Sequence, residues 1–244
     1  MPGWLLLGLL LLNLSSAKSM SSKGVCAVFG YGPGLGAAVA RKWSKEGFSV
    51  AILSRTLEKV QGAESTIPNS KGYACDVTNP EDISKTVASI ESDLGPIDCL
   101  VYNAGNGVWK SWDQIPIPDF EKGFQTNVSG LLKASQEIVP KMISRGSGSV
   151  LITGATASLR GKPITSGFAP HKGAQRLLAQ SLARDLGPKG VHVGYFIIDG
   201  GIGDGSDDSK LNPDDIADTY WHVASQPKSC WSFETEIRPS VENW

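Results

Sequence analysis

The feature that most constrains this chain is an apolar run that ends in closely spaced glycines, from Val25 to Gly36. The run breaks at Gly30, and glycines recur at 32, 34 and 36 before a helical pattern begins at Ala37. A strand, a tight turn and a helix in that order predict a phosphate-binding turn, because a helix N-terminus offers free N–H groups and partial positive charge. We expect Gly30 to take a positive φ and Gly34 to admit a close ligand. After Leu35, Gly36 lets the helix lie against the sheet.

Apolar runs and helical patterns alternate along the rest of the chain. This alternation predicts an α/β protein with a Rossmann-type, doubly wound parallel sheet, three layers (α/β/α) and a single domain. The predicted strands lie at about 24–30, 48–54, 71–76, 97–102, 148–154, 191–198 and 231–237. The predicted helices lie at about 35–46, 56–63, 80–93, 118–144, 167–187 and 212–225.

Composition limits the possible partners. The 244 residues are enough for one large domain, and 23 basic against 24 acidic side chains leave almost no net charge. No basic run stands out, so we expect no nucleic-acid partner. The four cysteines fit no metal-ligand spacing, and we expect neither a metal site nor a disulfide framework.

The N-terminus allows two interpretations. Residues 4–14 are almost wholly apolar and small residues follow, which makes residues 1–19 resemble a signal sequence. Such a segment favours the secretory pathway or a shallow membrane association. Alternatively, Met20 is the working start and the protein is cytoplasmic, which suits cysteines in predicted core strands. In both interpretations residues 20–244 form the folded domain.

The end of the second predicted strand indicates which dinucleotide would bind. The strand ends at Ser54, Arg55 and Thr56. A carboxylate at this point suits a free ribose 2′-hydroxyl, whereas an arginine suits a 2′-phosphate. The sequence therefore predicts NADP(H), with Arg55 beside the 2′-phosphate.

These motifs together resemble the short-chain dehydrogenase/reductase family over about residues 24–203. The turn from Gly30 to Gly36 matches the family's GxxxGxG pattern. Further similar segments are Asp76-Val77, Asn103-Ala104-Gly105, Asn127, and Gly200 with Ile202. The resemblance implies that the first two segments bind the adenine end and the neighbouring backbone of the cofactor. It further implies that Asn127 holds a water of a proton relay and that residues 199–202 pass the nicotinamide.

The catalytic motif of the family is only partly present. The resemblance implies a Ser-Tyr-Lys set, and Lys172 keeps the lysine position, where it also binds the ribose. The tyrosine position is Phe168, which has no hydroxyl and transfers no proton. Alignment of the strand 148–155 puts Ala155 at the serine position. A shifted register would leave Thr153, Thr156 or Ser158 as the hydroxyl that holds the substrate oxygen.

Three hypotheses follow. In the first, the protein is an NADP(H)-dependent reductase of a small carbonyl, enone or imine, acting through Lys172, Asn127 and Ser158. Its proton comes from His171, whose imidazole titrates near neutral pH, from water or from the substrate. In the second, the domain binds NADP(H) without catalysis, as a sensor or scaffold. In the third, it is a structural partner without a cofactor.

The remaining expectations concern the substrate and the assembly. We expect Trp109, Trp112 and Phe168 to line an apolar substrate pocket. The glycine- and aspartate-rich residues 203–210 are predicted to form a mobile loop over the site. The long helix at 118–144 and the last strand are candidate surfaces for a homo-oligomer.

Overall fold

A computed structural model describes residues 22–242 of the chain. The apolar segment at residues 4–14 lies outside the described residues, as does the predicted division at residue 19. No helix within residues 22–242 combines the length and the apolar character that crossing a bilayer requires.

Seven parallel strands form one sheet in the order β3-β2-β1-β4-β5-β6-β7. The strands are β1 (Val25–Phe29), β2 (Ser49–Ser54), β3 (Ser70–Ala74), β4 (Ile97–Tyr102), β5 (Gly148–Thr153), β6 (Val191–Ile198) and β7 (Glu234–Ile237). All seven predicted strands are confirmed, within three residues at each end. The order reverses direction between β1 and β4, which creates the crevice where open α/β sheets bind their ligands.

Helices cover both faces of the sheet, as predicted. They are α1 (Leu35–Lys45), α2 (Leu57–Glu64), α3 (Pro80–Leu94), α4 (Ile117–Phe124), α5 (Gly130–Arg145), α6 (Ala169–Leu186) and α7 (Pro213–Ala224). The predicted helix at 118–144 consists of α4 and α5, joined by a π-helical turn at Gln125–Ser129. This turn widens the helix beside the site described below.

The strands are apolar on both faces because each face meets its own layer of helices. Along β1, Ala27 and Phe29 belong to one core cluster, while Cys26 and Val28 belong to the other. Residues of α3, α5 and α6 complete the first cluster, and residues of α1, α2 and α7 complete the second. The near-continuous apolar runs in the sequence follow from this double burial.

Candidate cofactor and active site

The glycine turn after β1 has the geometry that the sequence predicts. Gly30 has φ of +90°, and a Cβ there would lie 2.4 Å from the Ala104 backbone nitrogen. A Cβ on Gly36 would lie 2.8 Å from the Gly30 carbonyl oxygen, so this glycine lets α1 approach the turn. At Gly34, the N-cap of α1, an added Cβ would meet nothing within 4 Å. Gly30 and Gly36 therefore pack tightly against the protein, whereas the space beside Gly34 is free for a ligand.

The start of α1 is suited to an anion. No side chain caps the helix, and its first turn contains no acidic residue. The N-terminal N–H groups and the helix dipole of such an end attract a phosphate. The Leu35 side chain points into the core and is 5 % exposed, so only its backbone borders the turn. These features fit the pyrophosphate of a dinucleotide.

A cleft of about 470 Å³ runs from this turn across the ends of β1, β2 and β4. Arg55 and Lys59 line it where β2 leads into α2. Seven of the sequence-predicted cofactor residues lie on its wall, namely Gly30, Arg55, Asp76, Val77, Asn103, Ala104 and Gly105. The structure thus brings together residues that are up to 75 positions apart in the chain.

Asp76 is held as a carboxylate on this wall. Its Oδ1 accepts hydrogen bonds from the backbone N–H of Thr78 (2.9 Å) and from the Thr78 hydroxyl (2.8 Å). Burial by itself raises the pKa of Asp76, but these hydrogen bonds and the charge of Arg55 leave that pKa below its ordinary value. Asp76 is therefore ionised and fixed in orientation at neutral pH.

Asn103 joins the ends of three strands. Its Nδ2 donates to the Gly30 carbonyl oxygen (2.9 Å), and its Oδ1 accepts from the Thr153 hydroxyl (2.9 Å). The Tyr220 hydroxyl donates in turn to Thr153 Oγ1 (2.9 Å). The Asn103 side chain therefore stabilises the glycine turn by hydrogen bonds. Asn103 also lies on the wall of both cavities.

A second cavity, of about 860 Å³, continues from the first and shares Asn103, Gly105 and Asn106 with it. Phe168 and Ala155 line it together with Lys172. Gly200, Ile202 and Trp109 also lie on its wall. Trp109 packs on Phe168 with ring centroids 5.0 Å apart. Trp112 is 78 % exposed and is not a wall residue of this cavity, contrary to the prediction.

Lys172 is buried where the cavity meets α6. Its Nζ donates to the Thr153 carbonyl oxygen (2.9 Å) and to Gln175 Oε1 (3.0 Å), and it lies 5.7 Å from the Phe168 ring centroid. Burial lowers the pKa of Lys172 to about 7, because the ammonium form loses hydration. A lysine in this position exchanges a proton at neutral pH.

Asn127 lies in the π-helical turn and is fully buried. Its Nδ2 donates to the carbonyl oxygens of Asn106 (2.6 Å) and Gly123 (2.8 Å). Its own carbonyl oxygen accepts from Gln175 Nε2 (2.9 Å). The resemblance implies a relay water at Asn127, whose buried side-chain Oδ1 accepts no hydrogen bond from the described part of the protein.

Three of the predicted catalytic residues, Asn127, His171 and Ser158, are not on the wall of the second cavity. His171 lies on another side of α6, where its ring packs on Phe120 with centroids 4.5 Å apart. Burial and the charge of Lys172 lower the pKa of His171, so the ring is neutral at pH 7. Ser158, at the end of the 3-10 turn at Thr156–Ser158, lines another pocket of about 460 Å³, which adjoins the second cavity at Ala157 and Arg160. Phe168 therefore borders the second cavity, whereas His171 does not.

The neighbouring hydroxyls are already engaged. Thr153 is bonded to Asn103 and Tyr220, as described above. Thr156, which does line the cavity, donates to the Asp199 carboxylate (2.5 Å) and the Ile198 carbonyl oxygen (3.1 Å). Of the hydroxyls that the sequence offers, Thr156 alone combines a place on the cavity wall with a position next to Ala155.

Sequence reasoning missed three features of the site. Gln175 is fully buried and joins Lys172 to Asn127 through hydrogen bonds. In the sequence, the feature that could have indicated it is a glutamine on the apolar face of a predicted helix. Asp199 is 6 % exposed and pairs with Arg238 at 3.3 Å, beside the cavity. Lys59, in the first turn of α2 and four residues after Arg55, also lines the cofactor cleft.

The sheet order, the glycine turn and the paired cavities define a dinucleotide-binding α/β protein of the Rossmann type. A family model described as short chain dehydrogenase matches residues 24–203. The 3-oxoacyl-[acyl-carrier-protein] reductase of Mus musculus is 31 % identical over 170 residues, covering 69 % of this chain and 72 % of the mouse protein.

Solved structures give the same result for the fold. A metagenomic short-chain oxidoreductase in complex with NADP superposes with a TM-score of 0.81 at 24 % identity, covering 91 % of this chain and 99 % of that one. An NAD⁺-bound xylitol dehydrogenase superposes with a TM-score of 0.81 at 24 % identity, covering 91 % and 100 %. The chain belongs to the short chain dehydrogenase family, a family of NAD(P)-binding oxidoreductases.

Proposed function

We propose that this protein is an NADP(H)-dependent reductase of small carbonyl, enone or imine substrates with an atypical active site. The observation that carries the proposal is the second cavity, which continues the cofactor cleft and is lined by Lys172 beside apolar side chains. When bound, the cofactor supplies a hydride. The chain itself must bind the substrate, orient it and provide the proton.

The charges on the cofactor cleft support NADP(H). Arg55 and Lys59 line the cleft at the end of β2. Two cations favour a ribose 2′-phosphate, whereas a free 2′-hydroxyl is usually met by a carboxylate. Similar solved proteins bind NADP in one case and NAD⁺ in another, so the support comes from these residues.

The proposed atypical site rests on two positions. We assign Phe168 to the family's tyrosine position and Ala155 to its serine position. Both side chains border the cavity that Lys172 borders, and neither carries a hydrogen-bonding group. A substrate whose carbon accepts hydride readily depends least on a strong acid. We therefore favour activated C=C and C=N bonds over simple alcohols.

The walls of the cavity support an apolar substrate body with a polar end. Trp109 and Phe168 form one aromatic wall, and Ile198 and Ile202 contribute apolar surface across the cavity. Arg160 and Asp199 supply charge at the same cavity. An unsaturated ring or chain with one polar group matches these walls.

A second candidate function is an NADP(H) sensor or scaffold without catalysis. The observation that favours it is the contrast between the intact glycine turn and the loss of hydroxyl groups at residues 155 and 168. Binding without turnover is the result that this candidate predicts.

The test is a titration of the full chain with NADPH, followed by oxidation of NADPH against a panel of aldehydes, ketones, enones and imines. We expect tight binding and turnover that is lost in Lys172→Met. A matched control is Lys85→Met, which removes an exposed lysine of α3 that lines neither cavity. Tight binding without turnover on any substrate, with activity on simple carbonyls gained by Phe168→Tyr plus Ala155→Ser, would establish the sensor.

A further inference from the structure

We propose that the substrate carries an oxyanionic group, a carboxylate or a phosphate, which Arg160 and Lys162 bind beside the second cavity; this inference rests on the proposed reductase function. The pocket of about 460 Å³ that adjoins the second cavity shares four wall residues with it, namely Ala157, Arg160, Lys162 and Thr165. A ligand that extends from the second cavity into this adjoining pocket therefore meets both cations.

The charges on the two walls differ. Carboxylates as well as cations lie on the wall of the second cavity, because Asp199 and Glu242 border it. Among the residues of the described part of the chain that line the adjoining pocket, Arg160 and Lys162 alone are charged. An anionic group is attracted by both cations and repelled by the two carboxylates, so it is more stable in the adjoining pocket than beside Asp199.

Lys162 lies on a turn that a buried side chain fixes. The Thr165 hydroxyl accepts a hydrogen bond from the Lys162 N–H (2.7 Å) and donates one to the Lys162 carbonyl oxygen (3.0 Å). Thr165 itself is 4 % exposed. Within residues 22–242 no carboxylate forms an ion pair with Lys162. The backbone is therefore held in place while the ammonium group is available to a ligand.

Arg160 also retains hydrogen-bond donors for a ligand. Its backbone N–H donates to the Thr156 carbonyl oxygen (3.2 Å), which fixes the residue at the end of the 3-10 turn. Its Nη2 lies 3.8 Å from Asp199 Oδ2, whereas Arg238 Nη2 lies 3.3 Å from the same oxygen. Arg238 is thus the closer partner of Asp199, and the five N–H donors of Arg160 are not used up by that contact. A guanidinium group of this kind matches a carboxylate or a phosphate.

The position of the two cations determines how a substrate lies. Lys172 and Ala155 border the second cavity but not the adjoining pocket, so the bond that accepts hydride lies in the second cavity. The oxyanion lies at Arg160 and Lys162, and an apolar segment between the two ends packs on Phe168. The substrate class is therefore an unsaturated carbonyl or imine compound whose oxyanion is separated from the reacting bond by an apolar segment.

The first test is binding, measured by calorimetry on the full chain in complex with NADPH. The probes are 4-butylbenzoate, 4-butylphenyl phosphate and the uncharged 4-butylbenzamide, none of which contains an aldehyde, ketone, enone or imine. We expect at least one of the two anions to bind about tenfold more tightly than the amide, as two partly exposed charged contacts allow. This preference should fall as the salt concentration rises.

A double variant tests the two cations directly. Arg160→Gln plus Lys162→Gln removes both charges at exposed positions and should make the anions bind no more tightly than the amide. Lys110→Gln is the matched control, because Lys110 is exposed and pairs with Thr165 but lines neither the second cavity nor the adjoining pocket. This control should keep the preference for the anions.

Turnover gives a second readout. The substrates are benzylideneacetone and its para-carboxylate, which share the reacting enone. In the double variant, KM for the carboxylate should rise about tenfold with kcat unchanged, because the lost contact is remote from the reacting bond and binds the ground state and the transition state equally. Both constants for the neutral enone should stay as they are in the unchanged protein.

The outcomes separate this inference from the proposed function. Equal affinity of the unchanged protein for all three probes would overturn the inference without any variant, as would an equal loss of preference in Lys110→Gln and in the double variant. Turnover that shows no preference for the carboxylate would overturn it and leave the reductase function intact. A preference for the anions without turnover on any substrate would support the oxyanion site and overturn the reductase function.

Discussion

The two halves of the sheet bind their proposed ligands by different means. At the ends of β1, β2 and β4, the backbone forms the cofactor cleft, and glycines set its shape. At the ends of β5 and β6, side chains such as Lys172, Phe168 and Asp199 shape the second cavity. A backbone-built site depends on residues that have no side chain. A side-chain-built site changes its chemistry when a single hydroxyl is lost.

The largest expected effect is a loss of stability on substitution of a glycine in the turn that shapes the cofactor cleft. Gly30→Ala should lower the free energy of unfolding by about 3 kcal/mol or more, because φ is positive and the new Cβ overlaps Ala104. Gly32→Ala is the matched control, since its Cβ would meet nothing within 4 Å. Its effect should stay within about 0.5 kcal/mol. Urea unfolding of both variants measures the difference, and equal effects would contradict the close approach at Gly30.

The next effect concerns cofactor choice. Arg55→Ala should weaken NADPH binding by about 1.5–3 kcal/mol, the value of a charged hydrogen bond, and leave NADH binding nearly unchanged. Lys85→Ala removes an exposed lysine of α3 and should alter neither affinity. Calorimetric titration with both cofactors checks this, and an equal loss for NADPH and NADH would rule out a 2′-phosphate at Arg55.

A third effect measures the cost of burying Lys172. Its pKa is lowered to about 7 in the folded protein, so above that pH the unfolded chain binds one more proton. The free energy of unfolding should therefore rise with pH, by about 1–2 kcal/mol between pH 7 and pH 8.5. Lys172→Met should remove this rise. Denaturant titrations of both proteins at several pH values test it, and identical slopes would show that Lys172 is not desolvated.

The smallest expected effect is the loss in free energy of unfolding when one of two ion pairs is removed. Arg176 on α6 bonds Glu234 of β7 through two nitrogens, at 2.6 and 2.8 Å. Arg41 on α1 meets Asp214 through one nitrogen at 2.6 Å and is more exposed. Arg176→Ala should cost about 0.5–1 kcal/mol and Arg41→Ala about 0.5 kcal/mol or less. Thermal unfolding at low and high salt measures both, and a larger effect for Arg41 would reverse the assignment.

The sequence by itself determined the sheet, the helices and the glycine turn. These features follow from local patterns, because strand burial produces apolar runs and a tight turn requires glycine wherever φ is positive. Gly30 takes the positive φ that the sequence predicts, and Gly36 lies where α1 approaches the turn. Lys172 was located through the family motif, and its place on the cavity wall agrees with that motif.

Only the tertiary structure decided which side chains meet. His171 and Lys172 are neighbours in sequence, but successive residues of a helix point about 100° apart, so one packs on Phe120 and the other borders the cavity. Asn127 and Gln175 are 48 residues apart and become bonded because α6 packs on the π-helical turn. Such contacts depend on helix rotation and on packing between distant segments, which the pattern of one segment does not specify.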